Sequence, residues 1–154
     1  MSEPAKKIAT NRKAFHDFFV LDRLEAGIQL RGTEVKSIRQ GLVTLTGGYV
    51  MLDQGQALLH DVHIQPYDHG NRFNHEPARV RRLLLHAKEI LKLEQQTAQK
   101  GCTVVPLSMY FKHGLAKVEI GLCRGKASHD KRDELRKDTA DRETRRAIAA
   151  RANG

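Results

Sequence analysis

The chain contains no tryptophan and, among its 154 residues, only five Phe and three Tyr. Barrels that grip single strands by base stacking usually carry more aromatic platforms than that. Phe15, Phe18, Phe19, Tyr110 and Phe111 fall in strand-like runs, where core packing is expected. Cysteine is scarce too. Cys102 and Cys123 are widely spaced and form no CxxC pair, which argues for reduced, buried thiols and against a disulfide framework. No apolar run approaches the length of a membrane span, and the first fifteen residues, MSEPAKKIATNRKAF, contain no apolar signal core. A cytoplasmic protein without membrane attachment is expected.

Catalytic signatures are also missing. There is no GxSxG, no P-loop and no HExxH, and nothing in the sequence orients Glu34 and Glu119 as an acid–base pair. Eight His residues raise the question of a metal. On a strand, however, His60 and His63 project to opposite faces, and His69 and His75 lie in a loop without Cys or carboxylate at ligand spacing. Neither an enzyme nor a cofactor or metal is expected.

What is present is positive charge, with a formal net charge of +9 and a pI near 9.8. Residues 124–154 carry ten Lys/Arg against six Asp/Glu, so the excess is shared between this tail and the rest of the chain. Such a balance favours polyanionic partners, nucleic acid before membrane. Arg12, Lys13, Lys36, Arg39, Arg72, Arg79, Arg81 and Arg82 lie at segment edges. That pattern suits phosphate contacts and recognition of folded RNA by shape, the alternative being a solvated surface.

The periodicities predict a mainly β chain. HDFFVLDRLEAGIQL reads as a strand pair bent at Glu25-Ala26-Gly27. GTEVKSIRQG reads as a short helix with Thr33 as N-cap and Gly41 as its stop, Val35 and Ile38 on one side and Lys36, Arg39 and Gln40 on another. GYVMLDQGQALLHDVHIQPY is a hairpin turning at Asp53-Gln54-Gly55-Gln56, with Leu58, His60, Val62 and Ile64 on one face. DHGNRFNHEP is a loop. A longer helix should run from Pro77 through ARVRRLLLHAKEILKLEQQTAQ to Gly101, burying Leu84, Ala87 and Leu91. A second hairpin turns at Lys112-His113-Gly114. About six mostly antiparallel strands with one short and one longer helix fit a small OB-fold-like barrel, although another α+β sandwich would fit as well. The expected organisation is a flexible N-terminus at 1–10, an OB-like RNA-binding barrel at 11–123 and a basic tail at 124–154.

The tail is helix-prone but has no apolar face; Leu135 and Ile148 are its large aliphatic residues. Asp133 with Lys137, Asp138 with Arg142 and Asp141 with Arg145 are i,i+4 pairs in the favourable order, each contributing about 0.2–0.5 kcal/mol. That is too little to hold an isolated helix. The tail is expected to be disordered when free and helical along a polyanion.

Several strings together resemble one family. They are NRKA at 11–14, EAGI at 25–28, LRGTEVKSIRQG at 30–41, FNHEPARVRRLLLHAKEI at 73–90, KGCTVVPLSMYF at 100–111, KVEIGLCRGK at 117–126 and DKR at 130–132. In order and spacing they are similar to the SsrA-binding protein (small protein B) family. The resemblance implies an OB-type barrel, without catalytic activity, that binds the tRNA-like domain of transfer-messenger RNA. It also implies delivery of that RNA, charged with alanine, to ribosomes stalled on messages lacking a usable stop codon. The protein would act as a monomer, its tail entering the empty messenger channel near the 16S rRNA decoding region and folding there.

Carried over by position, Asn11, Arg12, Lys13, Glu34, Lys36 and Arg39 match the RNA-facing motifs. Glu34 would accept from a 2′-OH or base amine, or hold a neighbouring cation in place. Gly125 and Lys126 with Asp130, Lys131 and Arg132 match the junction where the tail meets the ribosome. The chain departs from the family pattern at His129, where an aromatic is frequent, and at Ala140, where a bulky aromatic is missing. Ile148 is therefore the candidate apolar anchor of the tail. Two other readings compete: a basic OB-type ribosomal or translation-associated protein without this RNA specificity, and an RNA-modifying enzyme.

Overall fold

A computed structural model describes residues 6–67, 74–99 and 101–126. The elements in order are β1 (Lys6–Thr10), α1 (Arg12–Asp17), β2 (Phe18–Ile28), α2 (Gly32–Arg39), β3 (Val43–Thr44), β4 (Tyr49–Asp53), β5 (Gln56–His60), β6 (His63–Ile64), β7 (Arg81–Leu84), α3 (Ala87–Thr97), β8 (Cys102–Lys112) and β9 (Leu115–Gly125). The main sheet runs β1-β8-β4-β5-β7-β2-β9 and closes on itself through β8–β9. Six antiparallel strands thus form the barrel, β1 adds to β8, and β3 and β6 pair separately. The mainly β, OB-like expectation holds.

Two hairpins stand where the sequence put them. Gln54 and Gly55 (φ +49° and +75°) join β4 to β5, and His113 and Gly114 (φ +52° and +77°) join β8 to β9. Both are two-residue loops with consecutive positive φ, the geometry whose twist matches that of the flanking strands. Inside, Val50, Ala57, Leu59, Leu83, Val104, Met109, Val118, Ile120 and Leu122 alternate along their strands into one core, to which α2 adds Ile38 and α3 adds Leu93.

Closure relies on bulges. The β2–β9 register shifts around Leu21 and the β8–β9 register around Leu107. At the second, the extra residue turns Leu107 into a smaller core with Ala14, Val105 and Cys123. A Cβ on Gly121 would sit 2.7 Å from Leu107 Cδ1, so this position on β9 is kept bare for the bulged leucine. The same bulge presents two carbonyls to Asn11. Its N–H donates to Leu107 O (2.8 Å), and its Nδ2 donates to Pro106 O (2.9 Å).

The differences from the sequence expectations have local causes. His16 and Asp17, read as the start of a strand, belong to α1, because Asn11 caps that helix by accepting from the Ala14 N–H. From Phe18 the chain is one strand, not a pair bent at Glu25-Ala26-Gly27, because β9 pairs with it from Phe18 to Gly27 across the bulge at Leu21. Residues 6–10, expected to be loose, pair with β8. The long helix is split: residues 81–84 are β7 and the helix begins only at Ala87. Leu84 and Leu91 accordingly lie exposed, and Ile90 and Leu93 are the buried side of α3. Asp61, at φ +58°, resets the alternation, so Ala57 and Leu59 face inward before it and Val62 and Ile64 after it. Cys123 opposes Thr103 and Cys102 opposes Arg124, which places the two thiols on opposite faces of the hairpin. Both are free, and burial pushes the Cys123 thiol up to about 11.

Candidate nucleic-acid interface

The residues singled out from sequence fall into three places. The first is a buried node under α2. The helix begins at Gly32, not after Thr33, and the Arg31 N–H donates to Glu34 Oε1 (2.8 Å). Thr33 is taken instead by His75: Oγ1 lies 2.9 Å from Nδ1, while His75 Nε2 lies 2.8 Å from Ile64 O. Glu34 has no solvent exposure, its carboxylate being enclosed by the node. Of the roles considered for it, the one realised is holding neighbouring cations.

Arg79 donates from Nε to both Glu34 oxygens (3.1 Å each), and Arg81, also fully buried, donates from Nε to Glu34 Oε2. The remaining Arg81 nitrogens donate to Val62 O (2.8 Å) and Pro77 O (2.9 Å). Arg79 also donates to Val80 O (3.2 Å) and Gln29 O (3.5 Å). The fork of Arg81 is turned wholly inward, whereas the Arg79 side chain keeps 22 % of its surface exposed. Burial works to raise the Glu34 carboxyl, but donation from Arg79, from the Arg31 N–H and from Arg81 holds it below its ordinary value. For Arg81 burial is the dominant influence and lowers it, with Glu34 opposing.

The second place is a groove. The node fixes α2 so that Lys36 and Arg39 face outward, Lys36 Nζ 5.3 Å from the centre of the Tyr67 ring and the Arg39 guanidinium 5.6 Å from that of Phe111. Three depressions of about 420, 220 and 330 Å³ adjoin through shared lining residues. The first two share Gly27, Leu84 and Lys117, and the last two share Phe111 and Gly114. Arg82 and Lys117 stand along the first stretch together with Glu25 and Glu89, and Arg39 and Lys6 along the last. Leu84 (49 % exposed) and Leu115 (61 % exposed) provide an apolar floor. Beside it Tyr110 Oη donates to Glu25 Oε2 (2.6 Å), with Lys112 Nζ 3.5 Å away. That hydrogen bond is the main influence lowering Glu25, whereas burial, then Glu25, raises Tyr110.

The third place is the end of the barrel around α1. Asn11 is buried as the cap of the helix. Arg12 and Lys13 are exposed. Gly125 is exposed and Lys126 is buried, its backbone N–H donating to Asp17 O (3.0 Å). Arg72, Asp130, Lys131, Arg132 and Ile148 lie outside the described residues, as do His69, His129 and the expected tail helix. Among the described residues no group of His, Cys, Asp or Glu is placed to hold a metal, and no helix is long and apolar enough to cross a membrane.

Sequence reasoning missed the exposed aromatics. Phe15 and Phe19, assigned to the core, are each 37 % exposed; the Arg23 guanidinium lies 5.4 Å from the Phe15 ring centre. The signal was available in Asn11, a favoured N-cap residue, since a helix starting there carries Phe15 off the strand.

Comparison with known proteins agrees with this geometry. The model of the SmpB protein family matches residues 8–150. The SsrA-binding protein of Carboxydothermus hydrogenoformans is 52 % identical over 146 residues, covering 95 % of this chain and 98 % of its own. That of Lactobacillus delbrueckii subsp. bulgaricus is 56 % identical over 139 residues, covering 90 % and 91 %. A solved chain described under "tmRNA-SmpB: a journey to the center of the bacterial ribosome" superposes with a TM-score of 0.69 at 43 % identity, covering 87 % of this chain and 96 % of that one. With a closed barrel of the same shape and a family match across most of its length, the chain belongs to the SmpB family.

Proposed function

We propose that the protein binds the tRNA-like domain of transfer-messenger RNA and delivers it to stalled ribosomes for trans-translation. Relatives at about half identity are SsrA-binding proteins, and the superposed chain comes from a tmRNA-SmpB assembly in the bacterial ribosome. The observation that carries the residue-level reading is the groove from Arg82 through Lys117 to Arg39 and Lys6. Its cations suit phosphates of a folded RNA, and its exposed Leu84 and Leu115 suit a sugar or base edge. RNA held there meets α2 at Lys36 and Arg39, whose orientation is set by the Glu34 node. Arg72 belongs to the same proposed RNA-contacting set.

The barrel, with β1 included, is the RNA-binding unit, and residues 124–154 serve the ribosome, with Gly125, Lys126, Asp130, Lys131, Arg132 and Ile148 as contacts near the 16S rRNA decoding region. The protein acts in the cytoplasm as a monomer, by recognition and without catalysis or cofactor. The test is a salt-series binding assay with the tRNA-like fragment and a length-matched RNA hairpin. A strong preference for the fragment supports the proposal. Equal affinity with one steep salt slope would mean a merely basic surface and favour a ribosomal-protein role.

A further inference from the structure

The tail leaves the barrel beside a cavity of about 220 Å³ between α1 and the start of β4. Lys126 donates its backbone N–H to Asp17 O (3.0 Å), and Asp17 is itself one of the residues that line the cavity. Ala14, Phe18, Val105 and Tyr49 give it apolar walls, and the exposed Lys13 stands among its lining residues. Ala14, Phe18 and Val105 also belong to the smaller core, so the cavity is an open continuation of that core. Its buried polar lining residue, Asn11, is already spent on the Ala14 N–H and on Pro106 O. An aliphatic side chain suits such a space. The first large one after Lys126 is Leu135, with eight residues (127–134) between them. Nine steps of chain span about 30 Å extended and about 13 Å as helix, whereas α1, along the cavity, is about 9 Å long. Leu135 therefore reaches the cavity in either form.

We propose that Leu135 docks in this cavity while the protein is away from the ribosome, holding the tail against its own barrel. The regulatory meaning rests on the reading that the tail serves the ribosome; the contact itself does not. Leu135 is favoured over Ile148 because the loop it closes is shorter, eight residues (127–134) against twenty-one (127–147), and closure entropy grows with loop length. Asp133 and Glu134, just before it, are opposite in sign to the exposed Arg12 and Lys13 on α1. Burying one leucine offsets the closing of a short loop and little more, so docked and released forms are populated within about tenfold of each other. A contact this weak yields to the many phosphates of an rRNA channel. Until then it withholds the ten Lys/Arg of the tail from stray RNA, because apparent affinity falls with the released fraction. Ile148 stays undocked and serves as the ribosomal anchor.

The absence of tryptophan makes the test direct, because Leu135→Trp and Ile148→Trp each place a sole indole in the full-length chain. Without RNA, the indole at 135 should emit at shorter wavelength than that at 148 and be quenched by acrylamide about twofold less. Thr103→Phe, which fills the cavity from β8, should abolish the difference. Equal emission and quenching at the two positions overturn the proposal, and so does a difference that survives Thr103→Phe in a folded chain. Should Thr103→Phe not fold, amide resonances decide. Leu135→Asp should shift the Gly47, Gly48 and Thr103 signals of the full chain, and Ile148→Asp should leave them in place. Unmoved signals in Leu135→Asp overturn the proposal. None of these measurements contains RNA, so a failure of the proposed function would show instead in the titration of the tRNA-like fragment.

Discussion

Arg81 donates from Nε to Glu34 Oε2 with neither side chain exposed to solvent. The pair joins β7 to the first turn of α2, and Arg79, 22 % exposed at its side chain, closes it from the solvent side. Two arginines and one carboxylate out of water are tolerable because backbone carbonyls of Val62, Pro77, Val80 and Gln29 take the remaining donors. The node does not touch RNA in the proposed mechanism. It orients the helix that does.

Glu34→Gln should therefore destabilise the fold by about 3 kcal/mol, since removing one partner leaves a buried charge uncompensated. Urea denaturation gives the value. A loss below about 0.5 kcal/mol would show that the carboxylate is dispensable to the core, returning it to the candidates for direct RNA contact.

The same carboxylate dictates an acid response. Its value in the folded chain is lowered, so the folded form holds the proton less tightly than the unfolded chain does. Its contribution to stability is fully present above the ordinary carboxylate value of 4.5 and is lost as pH falls through the lower folded-state value. Denaturation midpoints followed from pH 6 down to about pH 3 should fall less steeply in Glu34→Gln than in the parent. Parallel curves would contradict the assignment.

The bulge supplies a packing test. Gly121→Ala drives a methyl group to 2.7 Å from Leu107 Cδ1 and 3.3 Å from Cys123 Sγ, which should cost about 1–3 kcal/mol. Leu107→Ala should cost about 2–5 kcal/mol by emptying the smaller core. The double variant should lose clearly less than the sum, because the small side chain relieves the clash. Additive losses in thermal melts would mean that Gly121 is not kept bare for Leu107.

The tail prediction rests on residue chemistry alone. With no aromatic in the middle of residues 124–154, Ile148 is the apolar side chain available there beyond Leu135. Ile148→Asp should impair peptide tagging on stalled ribosomes while leaving affinity for the tRNA-like fragment unchanged. Loss of fragment affinity in this variant would contradict the division of labour between barrel and tail.

Legibility in the sequence followed how local each determinant is. The hairpins at Gln54-Gly55 and His113-Gly114 were readable because turn geometry is set by two residues. The Lys36–Arg39 face of α2 was readable from helical spacing, and Gly41 (φ +77°) closes that helix as expected. Residues 78–99 misled because RRLLL suits both periods; only pairing with β5 and β2, distant in sequence, makes residues 81–84 a strand. The same limit affected the site. Arg81, Arg82 and Glu34 look alike as RNA-facing charges, yet strand alternation buries Arg81 and exposes Arg82, and the fold brings Glu34 to Arg81 from 47 residues away. Charge alone does not distinguish a phosphate contact from an internal ion pair. Burial does.

The most direct test of the account is the affinity of an Arg39→Glu, Lys117→Glu double variant for the tRNA-like fragment, measured as a function of salt. Both residues line the groove and neither belongs to the node, so thermal stability should stay close to that of the parent. The account predicts much weaker binding and a slope of log affinity against log salt shallower by about 1–2. Unchanged affinity and slope in a folded variant would place the RNA elsewhere on the barrel and contradict the groove as its seat.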